Sequence, residues 1–90
     1  MKTLLHVGCG VLNKSDLKGF NNDNWKEIRF DIDKDVSPDI VGTMTDMKSV
    51  ETASVDALYS SYNIDHIYPH QVPIALREFH RVLKEDGIVV

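Results

Sequence analysis

Cysteine, proline and long apolar runs are scarce in this chain of 90 residues, which contains one cysteine and three prolines. The single Cys9 cannot form an internal disulfide, which favours a reducing compartment. The N-terminus leads directly into a short strand-like run, without the apolar core or cleavage site of a signal peptide. No segment has the length of a membrane helix. We therefore expect a cytoplasmic protein that has no membrane partner.

Positive charge is also in short supply. The chain has 10 Lys and Arg residues against 14 Asp and Glu residues, for a net charge of -4. No run of basic residues suggests a surface that follows a phosphate backbone, so the charge pattern argues against a nucleic-acid partner. The remaining composition is ordinary for a soluble domain, and the length allows one small domain.

A glycine turn after an apolar run is the most informative motif that is present. The strand-like residues 3–7 end in Gly8-Cys9-Gly10, and a second apolar run about twenty residues later ends in Asp31, which is the layout of a nucleotide-binding βαβ unit. Glycine lets the backbone approach a ligand closely because it has no Cβ. Asn13 stands where a dinucleotide fingerprint would need its third glycine, which argues against a nicotinamide or flavin cofactor.

The hydrophobic pattern predicts an α/β fold with a parallel sheet. Strands are expected over residues 3–7, 25–32, 40–41, 55–60 and 88–90, and a short helix at most over residues 15–19. One amphipathic helix is predicted over residues 72–84, with Gly87 ending that segment because glycine tolerates a positive φ. Polar residues that follow parallel strands should meet at one edge of the sheet. These are Gly8 to Gly10, Asp31, Asp46 and Ser60-Ser61.

Two of these segments suggest ligand contacts. Asp31 closes a strand and is the better candidate to accept hydrogen bonds from ribose hydroxyls, whereas Asp33 is expected to be a solvated loop carboxylate. Ile32 is expected to lie against a purine face. Asp46 is a candidate for the purine amino group, with Met47 packing on the ring. The alternative for Asp46, a cap on a helical turn, fits the local sequence equally well.

The histidines and the cysteine predict no metal site and no thiol chemistry. His66 and His70 have helical spacing, but Pro69 lies between them and no third ligand is evident, so no metal is predicted. His6 is expected to be a hydrogen-bonded core residue. Cys9 is expected to matter through its backbone conformation.

Taken together, four segments resemble the class I S-adenosylmethionine-dependent methyltransferases. The first is the glycine motif (residues 5–10, Leu-His-Val-Gly-Cys-Gly), and the second is the acidic end of the second strand (residues 30–33, Phe-Asp-Ile-Asp). The other two are the fourth strand with the start of the next helix (residues 55–67) and the helix and turn before the fifth strand (residues 75–87). The last two are the most specific, because many side chains recur there at fixed spacing.

The resemblance implies a Rossmann-like parallel sheet with flanking helices and strand order 3-2-1-4-5. It implies S-adenosylmethionine as cofactor and methyl transfer to an unidentified acceptor. Gly8 and Gly10 would approach the methionine moiety, and Asp31 would hold the ribose, with Ile32 beside the adenine. Asp46 and Met47 would contact the adenine, and Ser61 would lie near the transferred methyl group. A non-catalytic binding or scaffold module with the same fold is the alternative function.

The chain departs from that family at several positions. His6 stands where the family commonly has an acid, so the family's usual anchoring of the glycine loop is not expected here. The family's last two strands are missing. The apolar run at residues 88–90 leads us to expect the N-terminal, cofactor-binding part of a longer domain, with a complete minimal domain as the alternative.

Overall fold

A computed structural model describes residues 1–60 and 69–90, and it contains a five-stranded sheet in the order β3-β2-β1-β4-β5. All of the neighbouring strands pair in parallel, which confirms the predicted fold class and strand order. The strands are β1 (Lys2–Val7), β2 (Trp25–Asp31), β3 (Ile40–Val41), β4 (Val55–Ser60) and β5 (Leu83–Val89). The helix α1 spans Val72–Val82, directly before β5.

The central strand β1 is hydrogen-bonded on both sides, to β2 and to β4. Its residues Leu4, Leu5 and Val7 are buried, because a central parallel strand is covered on both faces. The carboxyl ends of β1, β2 and β3 therefore lie along one edge of the sheet. Phe30 pairs with Val7 on one side and with Ile40 on the other, which aligns the ends of these three strands.

Two hydrophobic clusters cover the two faces of the sheet. The larger cluster packs α1 against the sheet through the buried helix residues Ala75, Phe79 and Val82. The smaller cluster joins the sheet to Leu17 and Phe20 of the polar connection between β1 and β2. The short helix expected over residues 15–19 is a 3₁₀ turn at Lys14–Asp16.

The helix ends earlier than the sequence predicts. We expected it to reach Lys84, but Leu83 has an extended backbone (φ -75°, ψ 141°) and pairs with Val55, so β5 begins there. Where the sequence predicts a turn, the pairing of β5 with β4 has a break in its register. Leu83 pairs with Val55 and Ile88 pairs with Ala57, so only one residue of β4 lies between these two partners. Gly87 does not have a positive φ. A Cβ there would lie 2.8 Å from Leu83 Cδ2, so close packing explains this glycine.

Among the residues that the structure describes, no helix is long and apolar enough to cross a membrane.

Candidate functional site at the carboxyl edge of the sheet

The loop after β1 leaves space beside its main chain at the carboxyl edge. Gly8 and Gly10 have φ values of 67° and 55°, a region that residues with a Cβ rarely enter. A Cβ built on Gly10 would meet no atom within 4 Å. The space in front of Gly10 is therefore free for a ligand group to approach the main chain.

Asp31 is joined directly to this glycine loop. Its Oδ2 atom accepts a hydrogen bond from the Gly10 amide at 2.8 Å, and its Oδ1 atom accepts one from the Asp33 amide at 2.9 Å. A carboxylate offers about four lone-pair sites, so acceptor capacity remains on both oxygens. Asp33 instead accepts from the Asp35 amide and caps the 3₁₀ turn at Lys34–Val36. Asp31 is thus tied to the glycine loop, whereas Asp33 caps a turn.

The structure brings Ile32 to this edge with an exposed side chain. Ile32 follows Asp31 and is 74% exposed. Since an isolated exposed isoleucine is common on protein surfaces, the exposure itself shows only that the side chain is available.

Asp46 and Met47 are adjacent in the loop after β3 but occupy different environments. Asp46 is exposed, and its amide donates to the Thr43 carbonyl oxygen at 3.0 Å. The Met47 side chain is fully buried in the larger hydrophobic cluster. In this conformation no part of it is available for the predicted packing on a purine ring, because the core needs an apolar side chain at that point.

Helix α1 holds the Asp46 loop through two residues that the sequence analysis missed. Glu78 Oε2 accepts from the Met47 amide at 3.0 Å, and Arg81 Nη2 donates to the Met47 carbonyl oxygen at 2.8 Å. Glu78 and Arg81 also pair with each other at 3.0 Å. The hydrogen bond from Arg81 is the main reason that the pKa of Glu78 lies below its usual range. The i, i+3 spacing of Glu78 and Arg81 can be read from the sequence, but their contacts with Met47 cannot.

His6 is the hydrogen-bonded core residue that the sequence predicts. It is fully buried, and its Nδ1 atom lies 3.0 Å from Glu27 Oε2 of β2. The His6 ring meets the Tyr59 ring edge to face, with 5.4 Å between centroids. Within residues 1–60 and 69–90, its Nε2 atom has no hydrogen-bond partner. His6 is thus tied to Glu27, and other groups must brace the glycine loop.

Cys9 lies between the two glycines with its side chain buried. Burial raises the pKa of the Cys9 thiol, which keeps it protonated and poorly nucleophilic. The Cys9 amide points to the Phe30 carbonyl oxygen at 3.4 Å, beside the Gly8 amide at 2.8 Å from the same oxygen. The backbone therefore carries the structural role at this position.

Two sequence predictions fall outside the described residues. Ser61, predicted near the transferred group, is one of them, and His66, considered as a metal ligand, is the other. Among the residues that are described, no group of three or more His, Cys, Asp or Glu side chains is placed to hold a metal ion.

Comparison with known proteins gives a family match and several similar folds. The model of a family described as "Methyltransferase domain" matches residues 5–90. No curated protein matches the chain.

Solved structures share the fold at low sequence identity. A protein assigned as an S-adenosyl-L-methionine-dependent methyltransferase from Methanococcus maripaludis is 21% identical, with a TM-score of 0.78. A TehB-like SAM-dependent methyltransferase from Corynebacterium glutamicum is 23% identical (TM-score 0.69), and a SAM-dependent methyltransferase from Archaeoglobus fulgidus is 19% identical (TM-score 0.76). Each alignment covers 97% of this chain but only 47%, 53% and 42% of the respective protein. The chain thus spans about half the length of these proteins.

Proposed function

Since the chain belongs to the family of methyltransferase domains, we propose that it binds S-adenosylmethionine and serves methyl transfer from that cofactor to an acceptor. Residues 1–90 would form the cofactor-binding part of a single Rossmann-like domain. A cytoplasmic location is proposed as well, on the evidence of cysteine usage.

One juxtaposition carries the proposal. The Gly10 amide nitrogen lies 2.8 Å from Asp31 Oδ2 at the carboxyl edge of a parallel sheet, where ligands of such folds bind. The space beside Gly10 admits an atom of a ligand where a side chain would otherwise stand. The free lone pairs of Asp31 suit the two hydroxyls of a ribose. These residues therefore fit an adenosyl ligand.

The other candidate site residues are proposed to contact different parts of the ligand. Gly8 and Gly10 would lie along the methionine moiety, and Ile32 would cover one face of the adenine with its exposed side chain. Asp46 would accept the adenine amino group. Met47 would support Asp46 from the core in the conformation described, and a direct contact with the adenine would need its side chain to leave that core. Ser61 is proposed to lie near the transferred methyl group.

The chain's part in the chemistry is binding and orientation. When bound, S-adenosylmethionine supplies a methyl group that is already activated on a sulfonium. Holding this group in line with an acceptor lowers the entropic part of the barrier. A general base is required only where the acceptor must lose a proton, so the proposal assigns none.

Calorimetric titration of the intact protein with S-adenosylmethionine and S-adenosylhomocysteine tests the proposal. The Asp31→Asn variant keeps the shape of the side chain but loses its charge, and hydrogen bonds to charged groups contribute about 1.5–3 kcal/mol. We expect an affinity about tenfold to a hundredfold weaker for both ligands. Asp33→Asn is the matched control, because asparagine also caps the turn, and its affinity should stay within about twofold of wild type.

Two results would contradict the proposal. One is the absence of binding by the wild-type protein at millimolar ligand. The other is equal affinity of the Asp31→Asn variant and the wild type. Under the alternative function, a non-catalytic scaffold, substitution of Asp31 should leave the interaction with the partner protein unchanged.

A further inference from the structure

Arg29 reaches from β2 to the carbonyl groups of the glycine loop. Its Nη2 atom donates to the Gly10 carbonyl oxygen at 2.6 Å, and its Nε atom donates to the Leu12 carbonyl oxygen at 3.0 Å. Gly10 is therefore held on both sides, by Arg29 at its carbonyl and by Asp31 at its amide. Both contacts come from β2, the neighbouring strand.

The same guanidinium also holds the loop that follows β2. Its Nη1 atom donates to the Ser37 carbonyl oxygen at 3.0 Å and lies 3.3 Å from that of Val36. The Arg29 backbone amide donates to Asp39 Oδ2 at 2.8 Å, which ties down the residue before β3. Arg29 thus joins the loop that follows β1 to the loop that follows β2.

The chemistry of arginine suits this position. A guanidinium has five N–H donors in a rigid plane, so it can serve carbonyl groups of two separate loops at once. Within residues 1–60 and 69–90, every hydrogen bond of the Arg29 side chain goes to a backbone carbonyl, and none pairs it with a carboxylate. The planar guanidinium of Arg29, with its forked set of N–H donors, therefore holds backbone carbonyl groups of both loops.

We propose that Arg29 is a positioning residue that fixes the glycine loop (residues 8–12) and the second loop (residues 32–37) as one unit. It braces the glycine loop from β2, since His6 of β1 is engaged with Glu27. This proposal rests on the proposed function, because the joined loops carry Gly10 and Ile32 and flank Asp31 of β2, the groups that would contact the adenosyl ligand. Free loops would have to be ordered when the ligand binds, at a cost to affinity.

Hydrogen exchange of the ligand-free, intact protein is the first test, with three variants. Arg29→Met removes the fork but keeps an apolar stem, Arg29→Lys keeps the charge, and Arg77→Met is the matched control on the exposed surface of α1. We expect Arg29→Met to raise amide exchange about tenfold or more in both loops, because the lost hydrogen bonds couple them. Arg29→Lys should behave similarly, since a single ammonium cannot span two loops. Arg77→Met should leave both loops unchanged.

Titration with S-adenosylhomocysteine, well below the unfolding temperature, is the second test. We expect Arg29→Met and Arg29→Lys to bind about tenfold more weakly with unchanged stoichiometry. A general loss of structure would lower the stoichiometry instead. If Arg29→Met fails to fold, Arg29→Lys carries both tests.

The proposal is overturned if exchange rises in only one loop, if it rises in neither, or if lysine restores wild-type exchange and affinity. It is also overturned if exchange rises in both loops while the affinity of the folded protein is unchanged. Because exchange is measured without ligand, a wild-type protein that binds no S-adenosylhomocysteine contradicts the proposed function. The joining of the two loops by Arg29 is still decided separately by the exchange data.

Discussion

Replacement of Gly10 by alanine separates the stability of the glycine loop from its use in binding. Gly10 has φ 55°, and a Cβ there would touch no atom within 4 Å. The substitution therefore introduces backbone strain without a steric clash. It also fills the space through which an adenosyl ligand is proposed to approach the main chain.

In Gly10→Ala, the loss of stability should be modest and the loss of ligand affinity should be large. An alanine in the left-handed region costs about 1–2 kcal/mol, against a total stability of about 5–15 kcal/mol for a typical domain. The variant should therefore remain folded at 25 °C, with a lower free energy of unfolding. Ligand affinity should fall by tenfold or more, since the new methyl group occupies the site of close approach and the loop is held on both sides by Asp31 and Arg29.

Gly19→Ala is the matched control. Gly19 has φ 94°, and a Cβ there also meets nothing within 4 Å, but it lies in the β1–β2 connection beyond the glycine loop. Urea unfolding should show a loss of stability in both variants, whereas titration with S-adenosylhomocysteine should show a loss of affinity only in Gly10→Ala. Wild-type affinity in a folded Gly10→Ala variant would refute the placement of the ligand beside Gly10.

Two further predictions concern the helix that supports the site. Phe79→Ala should lower the free energy of unfolding by about 3–5 kcal/mol, because this side chain is buried in the larger cluster. Leu76→Ala, at a residue 48% exposed on the same helix, should change it by less than about 0.5 kcal/mol, and similar losses in both variants would contradict the described packing. The pKa of Glu78 is lowered in the folded state, chiefly by Arg81, so its stabilising contribution should be present at neutral pH and lost as the pH falls through that lowered value. Urea unfolding over an acidic pH series should show a shallower decline for Glu78→Gln than for wild type, and parallel curves would argue against the pairing of Glu78 with Arg81.

The sheet could be predicted from the sequence because its strands are short, apolar and separated by clear turns. Residues 3–7 have the mostly continuous apolar character of a covered parallel strand, residues 55–60 are apolar around Asp56, and the stripe from Val72 onward has helical spacing. The end of α1 could not be placed in this way. Leu83 fits the helical stripe equally well, and only its pairing with Val55 decides that it belongs to β5.

The site was predictable only in part. Gly10 and Asp31 stand at the ends of strands, so their meeting follows from the topology, and the contact of 2.8 Å agrees with it. Met47 was predicted as a site residue from its position in a loop, and the burial of its side chain in the core was not predicted. Burial of one loop residue depends on the volume left between α1 and the sheet, which no local pattern expresses.

The residues of the chain by themselves determined the type of fold, the order of its elements and the acidic group that closes β2. Periodicity and turn chemistry act over a few residues, so they can be recognised in the printed sequence. Only the tertiary structure decided that Arg29 holds two loops, that Glu78 and Arg81 hold a third and that His6 turns to Glu27. Most of these contacts join residues far apart in the chain, and their partners are mainly backbone groups, which every residue carries and no sequence pattern marks.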